Sequence, residues 1–179
     1  MESQMVTLTP LTADDREQFI LDNQWAFKYG ALEEFGQRDD HIDEDGEIIS
    51  RETIEHCIDE KGNEVYRIML AGEKVGGMIL KIDPATYHNH LEILFVLPQA
   101  HDKGIGYQAW KAAEALHPET KIWETCTPYF EKRNIHFYVN KCGFQIVEFY
   151  NEYHTDPQTP LKDAQEGPDE MFRFQKFMK

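Results

Sequence analysis

Apolar positions change period several times along the chain, and each change predicts an element. Gln4 to Leu8 alternates as a short edge strand ending at Pro10. Thr12 followed by Asp15 has the spacing of a capping box, with Asp in place of Glu or Gln. It predicts a helix to about Tyr29 carrying Phe19, Leu21, Trp25 and Phe27, with Gly30 as its expected stop. Gln37 to Glu47 is polar and acidic and is expected to be loop. Ile54, Cys57 and Ile58 then have helical spacing, which predicts a second short helix from Ser50 to Glu60. Val65 to Leu70 and Val75 to Ile82 read as strands joined in a hairpin through Ala71-Gly72-Glu73-Lys74. Leu91 to Leu97 is a third apolar run, ended by Pro98. Ile105, Ala109, Ala112, Ala113 and Leu116 form a helical stripe that begins at Gly104 and stops before Pro118. Lys121 to Thr127 predicts a strand, Asn134 to Lys141 a helix, and Phe144 to Tyr150 and Met171 to Met178 two closing strands.

Hairpins at both ends of this order, with strand–helix crossings only in its middle, define an α+β domain: helices on a mixed, largely antiparallel sheet. At 179 residues, with no internal repeat and no long linker, the chain is expected to be a single domain, 1–179, with its core at about 64–150. A closing strand at 171–178 completes it, and 1–62 supplies the first strand and helices. Gly76-Gly77 in the hairpin strand predicts a bulge or a close backbone approach. The aromatic end Met171-Phe172-Arg173-Phe174 suits either a core or a homodimer interface.

Charge narrows the partners. The net charge of −15 argues against sequence-independent nucleic-acid binding, which needs a surplus of Lys and Arg. Acid is dense from Glu33 to Glu60, which reads either as a solvated surface or as a rim that concentrates a cationic substrate. No apolar run approaches the roughly 20 residues of a membrane span, and the N-terminus lacks the pattern of a signal peptide. Three cysteines without CxxC spacing (Cys57, Cys126, Cys142) point to a reducing, cytoplasmic setting.

The chemistry concentrates between Leu91 and Gly106. A strand enters a short loop, passes Gly104-Ile105-Gly106 and opens a helix. The first N–H groups of a helix lack internal partners and carry partial positive charge, so a pyrophosphate can rest on them. The two glycines are expected to let it approach the backbone, with His101 and Lys103 beside it. The P-loop is excluded, because no Gly-Lys is followed by Ser or Thr. Gly104 to Ala109 also satisfies the dinucleotide pattern GxGxxA, with Glu124 where that motif wants an acid. Only one further helix follows, however, where a dinucleotide domain needs several βα units.

On these residues the chain resembles the GNAT superfamily of N-acetyltransferases. Val96-Leu97-Pro98 leads to His101-Asp102-Lys103-Gly104-Ile105-Gly106 with that family's spacing, and His101 replaces its usual Arg or Gln. Asn134, Tyr138 and Gly143-Phe144 match a second family signature. The resemblance implies acetyl-CoA as co-substrate, in a V-shaped opening where the Leu91–Leu97 strand splays from the Lys121–Thr127 strand. It pairs the pantetheine arm with backbone of Phe95, Val96 and Leu97, and the pyrophosphate with Asp102 to Tyr107 (Lys103, Gly104, Ile105 and Gly106 between them). Asn134 belongs to the same coenzyme set, and 1–62 becomes the acceptor side. The acceptor is expected to be a primary amine of a small molecule or protein, chosen by residues between Trp25 and Glu60 and between Tyr150 and Glu170. A coenzyme-A-binding sensor without catalysis, or a different acyl-CoA donor, are the alternatives.

Direct transfer needs a base for the amine and an acid for the departing thiolate. Tyr138 is the family-like acid, although it lies five residues before Gly143 where the family places its Tyr four before. One residue turns a helical side chain by roughly 100°, so Tyr138 requires a local adjustment of its helix; Tyr129 and Tyr107 are substitutes. Glu92 is the candidate base, on one strand face with His90, provided burial raises its basicity. No metal is expected, because His88 and His90 lack a placed third ligand. Cys126 and Cys142 are expected to be ordinary cysteines, not nucleophiles.

Overall fold

Ala71 and Gly72 both adopt left-handed backbone, with φ of 51° and 80°, and this turns β2 (Asn63–Leu70) tightly into β3 (Glu73–Lys81). The computed structural model describes residues 5–35, 47–101, 103–129, 131–157 and 170–179, so the acidic loop expected from Gln37 lies almost wholly outside them. The remaining elements are β1 (Val6–Pro10), α1 (Arg16–Phe35), α2 (Arg51–Asp59), β4 (His88–Val96), α3 (Ile105–Leu116), β5 (Ile122–Pro128), α4 (Lys132–His136), β6 (Gln145–Tyr150) and β7 (Met171–Phe177). Strand order is β1-β2-β3-β4-β5-β7-β6, the mixed and mostly antiparallel sheet the pattern predicts. No described helix is long and apolar enough to cross a membrane.

The chain clusters into two compact units. The first comprises Met1–Asp83 and Leu91–Pro118. In it β1 and β3 flank β2 antiparallel, and Phe19, Ile20, Ile54, Ile79, Ile93, Phe95 and Leu97 form a continuous core. The β2–β3 register slips between Ile68 and Met69, opposite Gly76 and Lys74, which makes Val75 the extra residue of a bulge. A Cβ on Gly76 would stand 2.2 Å from the Phe95 carbonyl oxygen, and one on Gly77 2.4 Å from the Phe19 ring. The glycine pair therefore marks a close approach, next to the bulge at Val75.

Two expectations for this unit are corrected. Thr12 caps nothing with its side chain, and Asp15 is buried in an ion-pair network instead. Arg67, 2% exposed, grips Asp15 through Nε (2.7 Å) and Nη2 (3.1 Å) and Asp22 through Nη1 (3.0 Å), with Lys74 on Asp15 at 2.9 Å. Burial works against the Asp15 charge, but Arg67 and Lys74 hold its carboxyl below the usual range. Gly30 does not end α1, which continues to Phe35, because one helical glycine costs only about 1 kcal/mol. The short helix stands as expected, with the Ser50 hydroxyl accepting from the Thr53 amide.

The second unit comprises Pro84–His90 and Glu119–Lys179. Its last strand, β7, inserts between β5 and β6 and pairs antiparallel with both. The first residues of β4 lie parallel to β5 in the register His88↔Ile122, Asn89↔Trp123, His90↔Glu124. The expected helix at Asn134 is split: α4 gives way to a π-turn over Phe137–Lys141. Phe174 is fully buried among the rings of Tyr138 and Phe172, so part of the aromatic end packs into this unit.

Candidate functional site

In the first unit, Pro98 ends β4's run and begins one 3-10 turn, Pro98–Ala100, before the loop reaches Gly104. Gly104 has φ 68° and leads straight into α3 as an N-cap residue that makes no side-chain cap. A Cβ at Gly104 would meet nothing within 4 Å. The glycine is thus required by its left-handed backbone and not, within the chain itself, by crowding. Ile105 anchors the helix in the core at 2% exposure, Gly106 is half-buried, and Lys103 and Tyr107 are exposed. Asp102 lies outside the described residues.

His101 has a partner within the chain. Its Nε2 lies 2.8 Å from the Val96 carbonyl, which can only accept, so the ring donates there and ties the loop to the end of β4. Tyr29 packs edge-on against the same ring at 5.8 Å. The backbone expected to meet the pantetheine arm also divides. The Leu97 amide donates to the Val75 carbonyl at 2.8 Å, and the Phe95 carbonyl lies over Gly76, so both face β3. Backbone groups alternate along a strand, which turns Val96 the other way.

Glu92 is exposed, without the burial on which its expected basicity rests. Its charge adds to the burial that pushes the Cys57 thiol up to about 11, and it also acts on Lys81.

In the second unit, Tyr138 is 8% exposed and ringed by Phe137, Phe144 and Phe174. Burial pushes its hydroxyl upward, against a hydrogen bond with Thr125, and keeps it protonated. Asn134 is exposed and donates to the Thr127 hydroxyl at 3.4 Å. Tyr129 and Cys126 are exposed, whereas Cys142 is buried.

A cavity of about 400 Å³ in this unit was not foreseen from the sequence. His88 and His90 of β4 stack at 5.1 Å with 11° between their planes. Both face Glu124 of β5, His88 Nε2 at 3.3 Å from Oε1 and His90 Nδ1 at 3.5 Å from Oε2. The third group that the two histidines lacked in sequence is therefore placed by strand pairing, and the three ligating atoms lie within 4.8 Å of one another. Burial disfavours the Glu124 charge, but hydrogen bonds from Gln175 (2.9 Å) and Arg173 (2.8 Å), with His90 nearby, keep its carboxyl below the usual range. Glu148 stands behind Arg173 and accepts from His154 (3.0 Å), Arg173 (2.9 Å) and Tyr150 (3.0 Å), which hold it at about 2. Burial first, then Glu148, pushes the Tyr150 hydroxyl up to about 12.

Solved acetyltransferases have this fold. An acetyltransferase from Thermus thermophilus superposes with a TM-score of 0.69 at 15% identity, over 99% of this chain and 100% of that one. The PaiA N-acetyltransferase of Thermoplasma acidophilum, solved in complex with coenzyme A, gives 0.66 at 16% identity over 97% and 99%. At sequence level, the uncharacterized protein YrkN of Bacillus subtilis (strain 168) is 45% identical over 170 residues, 92% of this chain and 89% of its own. The model of the acetyltransferase (GNAT) family matches residues 19–144, and the chain belongs to that family. Its class is therefore acyltransferase.

Proposed function

We propose that the protein transfers the acetyl group of acetyl-CoA directly to a primary amine of a small molecule or protein. The Gly104 turn carries this reading. Its left-handed backbone delivers the chain into a twelve-residue helix without a side-chain cap, and the first amides of such a helix suit a pyrophosphate. In this reading the amides from Lys103 to Tyr107 hold the pyrophosphate, the Lys103 side chain adds an ammonium, and His101 fixes the loop by its bond to Val96. Val96, turned away from β3, is the backbone position for the pantetheine arm, and Asn134 completes the coenzyme set. Coenzyme A in the Thermoplasma acidophilum protein supports the same co-substrate here.

Transfer requires the amine's lone pair to attack the thioester carbonyl carbon and the C–S bond to break, with a proton for the leaving thiolate. Tyr138 is proposed to supply that proton, because burial keeps its hydroxyl protonated. Glu92 is a weaker candidate for the base, since an exposed carboxylate is a poor acceptor for an ammonium proton. The chain's net charge of −15 favours a cationic acceptor. Cys57, Cys126 and Cys142 form no disulfide with one another, which fits a reducing cytoplasm.

The test is to incubate the protein with acetyl-CoA and a panel of amines (diamines, aminosugars, lysine peptides and free peptide N-termini). Release of coenzyme A thiol should accompany an acetylated amine in the mass spectrum. Coenzyme binding without product from any class would overturn the transfer reading and leave a coenzyme-holding sensor. Product formed only with a longer acyl-CoA would overturn the donor.

A further inference from the structure

We propose that His88, His90 and Glu124 form a binding site for a divalent metal ion of the zinc class, on the wall of the second unit's cavity. The site lies wholly within that unit and does not depend on acetyl transfer.

Sheet geometry brings the three ligands together. Residues two apart share one face of a strand, so His88 and His90 project side by side from the start of β4. The parallel register places Glu124 of β5 opposite His90. Two imidazoles and a carboxylate suit zinc and its neighbours in the transition series. Magnesium and calcium prefer oxygen ligands alone.

The distances separate a metal site from a hydrogen-bonded cluster. His88 Nε2 lies 3.3 Å from Glu124 Oε1, and His90 Nδ1 lies 3.5 Å from Oε2, both longer than a good N–H···O bond. His88 Nε2 is moreover buried without a hydrogen bond among the described residues. Around a tetrahedral ion with bonds of about 2.0–2.1 Å, neighbouring ligand atoms stand ~3.3–3.4 Å apart. Both contacts are therefore too long for hydrogen bonds and close to the edges of a zinc tetrahedron. The two rings lie within 11° of parallel, so one must turn about its Cβ–Cγ bond to aim both lone pairs at one ion. That torsion is soft. The metal takes the place of the proton on each ligating nitrogen, so neither imidazole has to be idle beforehand.

The surroundings prepare the carboxylate. Arg173 Nη1 (2.8 Å) and Gln175 Nε2 (2.9 Å) both donate to Oε1, which fixes the side chain and leaves Oε2 toward His90. Partners of this kind orient a ligating carboxylate. They also keep Glu124 ionised at neutral pH against the effect of burial. The cavity carries the charge a dication needs. Glu124, Glu148 and Asp156 set three carboxylates against the one guanidinium of Arg173, which leaves a formal −2. The His88 and His90 side chains keep 33% and 28% exposure, so the ion has a way in and a fourth position open to water.

The experiment uses the whole chain, stripped with a chelator and titrated calorimetrically with Zn²⁺. One equivalent should bind with a Kd of about 1 μM or tighter, and the melting temperature should rise by several degrees. Co²⁺ in its place should show the intense visible absorption of a tetrahedral site. His88→Gln, His90→Gln and Glu124→Gln should each weaken binding by ~100-fold or more and keep the metal-free melting temperature. His136→Gln, at an exposed histidine bonded to Asn140, should bind as the wild type does. If Glu124→Gln fails to fold because Arg173 loses a partner, the two histidine variants carry the test, since they leave both Arg173 pairs in place. Absence of saturable Zn²⁺ binding would overturn the proposal, as would equal binding by all three ligand variants. A preference for Mg²⁺ or Ca²⁺ over Zn²⁺ would overturn the assigned class of metal. Acetyl transfer is tested apart from this, by the amine panel, so either reading can fail alone.

Discussion

The amide of Phe144 donates to the carbonyl of Tyr138, six residues earlier, at 2.9 Å. Cys142 likewise reaches back five residues to Phe137 at 3.0 Å, so the last turn of this segment is wider than an α-helical turn. The widening holds Tyr138 inward with its hydroxyl on Thr125. If that hydroxyl serves the thiolate, Tyr138→Phe keeps the ring packing and loses only the proton. Steady-state kinetics should show kcat lower by ~100-fold with the KM for acetyl-CoA unchanged. Thermal melting should register no more than about 1 kcal/mol for the lost hydrogen bond. An unaltered kcat would reduce Tyr138 to a core aromatic.

Arg67 and its two aspartates dominate the polar interior of the first unit. Asp15→Asn leaves Arg67 short of a charge it was buried to meet, and should destabilise by about 3–5 kcal/mol in denaturant titration at neutral pH. The carboxyl of Asp15 titrates lower in the folded chain than in the unfolded one. Its stabilisation is therefore present above the unfolded value near 4 and is lost as pH falls through the lower folded value. The gap between wild type and Asp15→Asn should narrow as pH falls below about 4. A gap that is constant with pH would contradict the ion-pair origin.

Two glycines should respond differently to alanine. At Gly76 the new Cβ would lie 2.2 Å from the Phe95 oxygen, so Gly76→Ala must move β3 or β4 and should cost about 3 kcal/mol in stability. At Gly104 there is room, and only the left-handed backbone is strained, at about 1–2 kcal/mol. Melting should therefore separate the two variants clearly. Coenzyme affinity should fall in Gly104→Ala, where the strained turn precedes the pyrophosphate amides.

Local features were legible in the sequence because the residues that cause them are neighbours. The Ala71-Gly72 turn, the Ser50 cap, the Gly76-Gly77 approach and the strand–glycine–helix passage at Gly104 each follow from a short stretch. What was hidden depends on pairing across the sheet. Nothing near Asp15 in sequence announces Arg67, fifty-two residues away, and so a buried ion pair read as a cap. His88 and His90 lacked a partner until the parallel register set His90 beside Glu124. The bond between His101 and the Val96 carbonyl was hidden for the same reason, because that carbonyl comes within reach only when the loop folds back. The π-turn at Phe137 supplies the local adjustment that the Tyr138–Gly143 spacing called for, although periodicity alone does not locate it.

Calorimetric titration of acetyl-CoA and, separately, NADH into the wild type and a Gly104→Trp variant tests the coenzyme claim directly. Saturable acetyl-CoA binding by the wild type, weakened at least tenfold in the variant (about 1.4 kcal/mol), is the predicted result. No acetyl-CoA binding by the wild type, or NADH binding in its place, would contradict it.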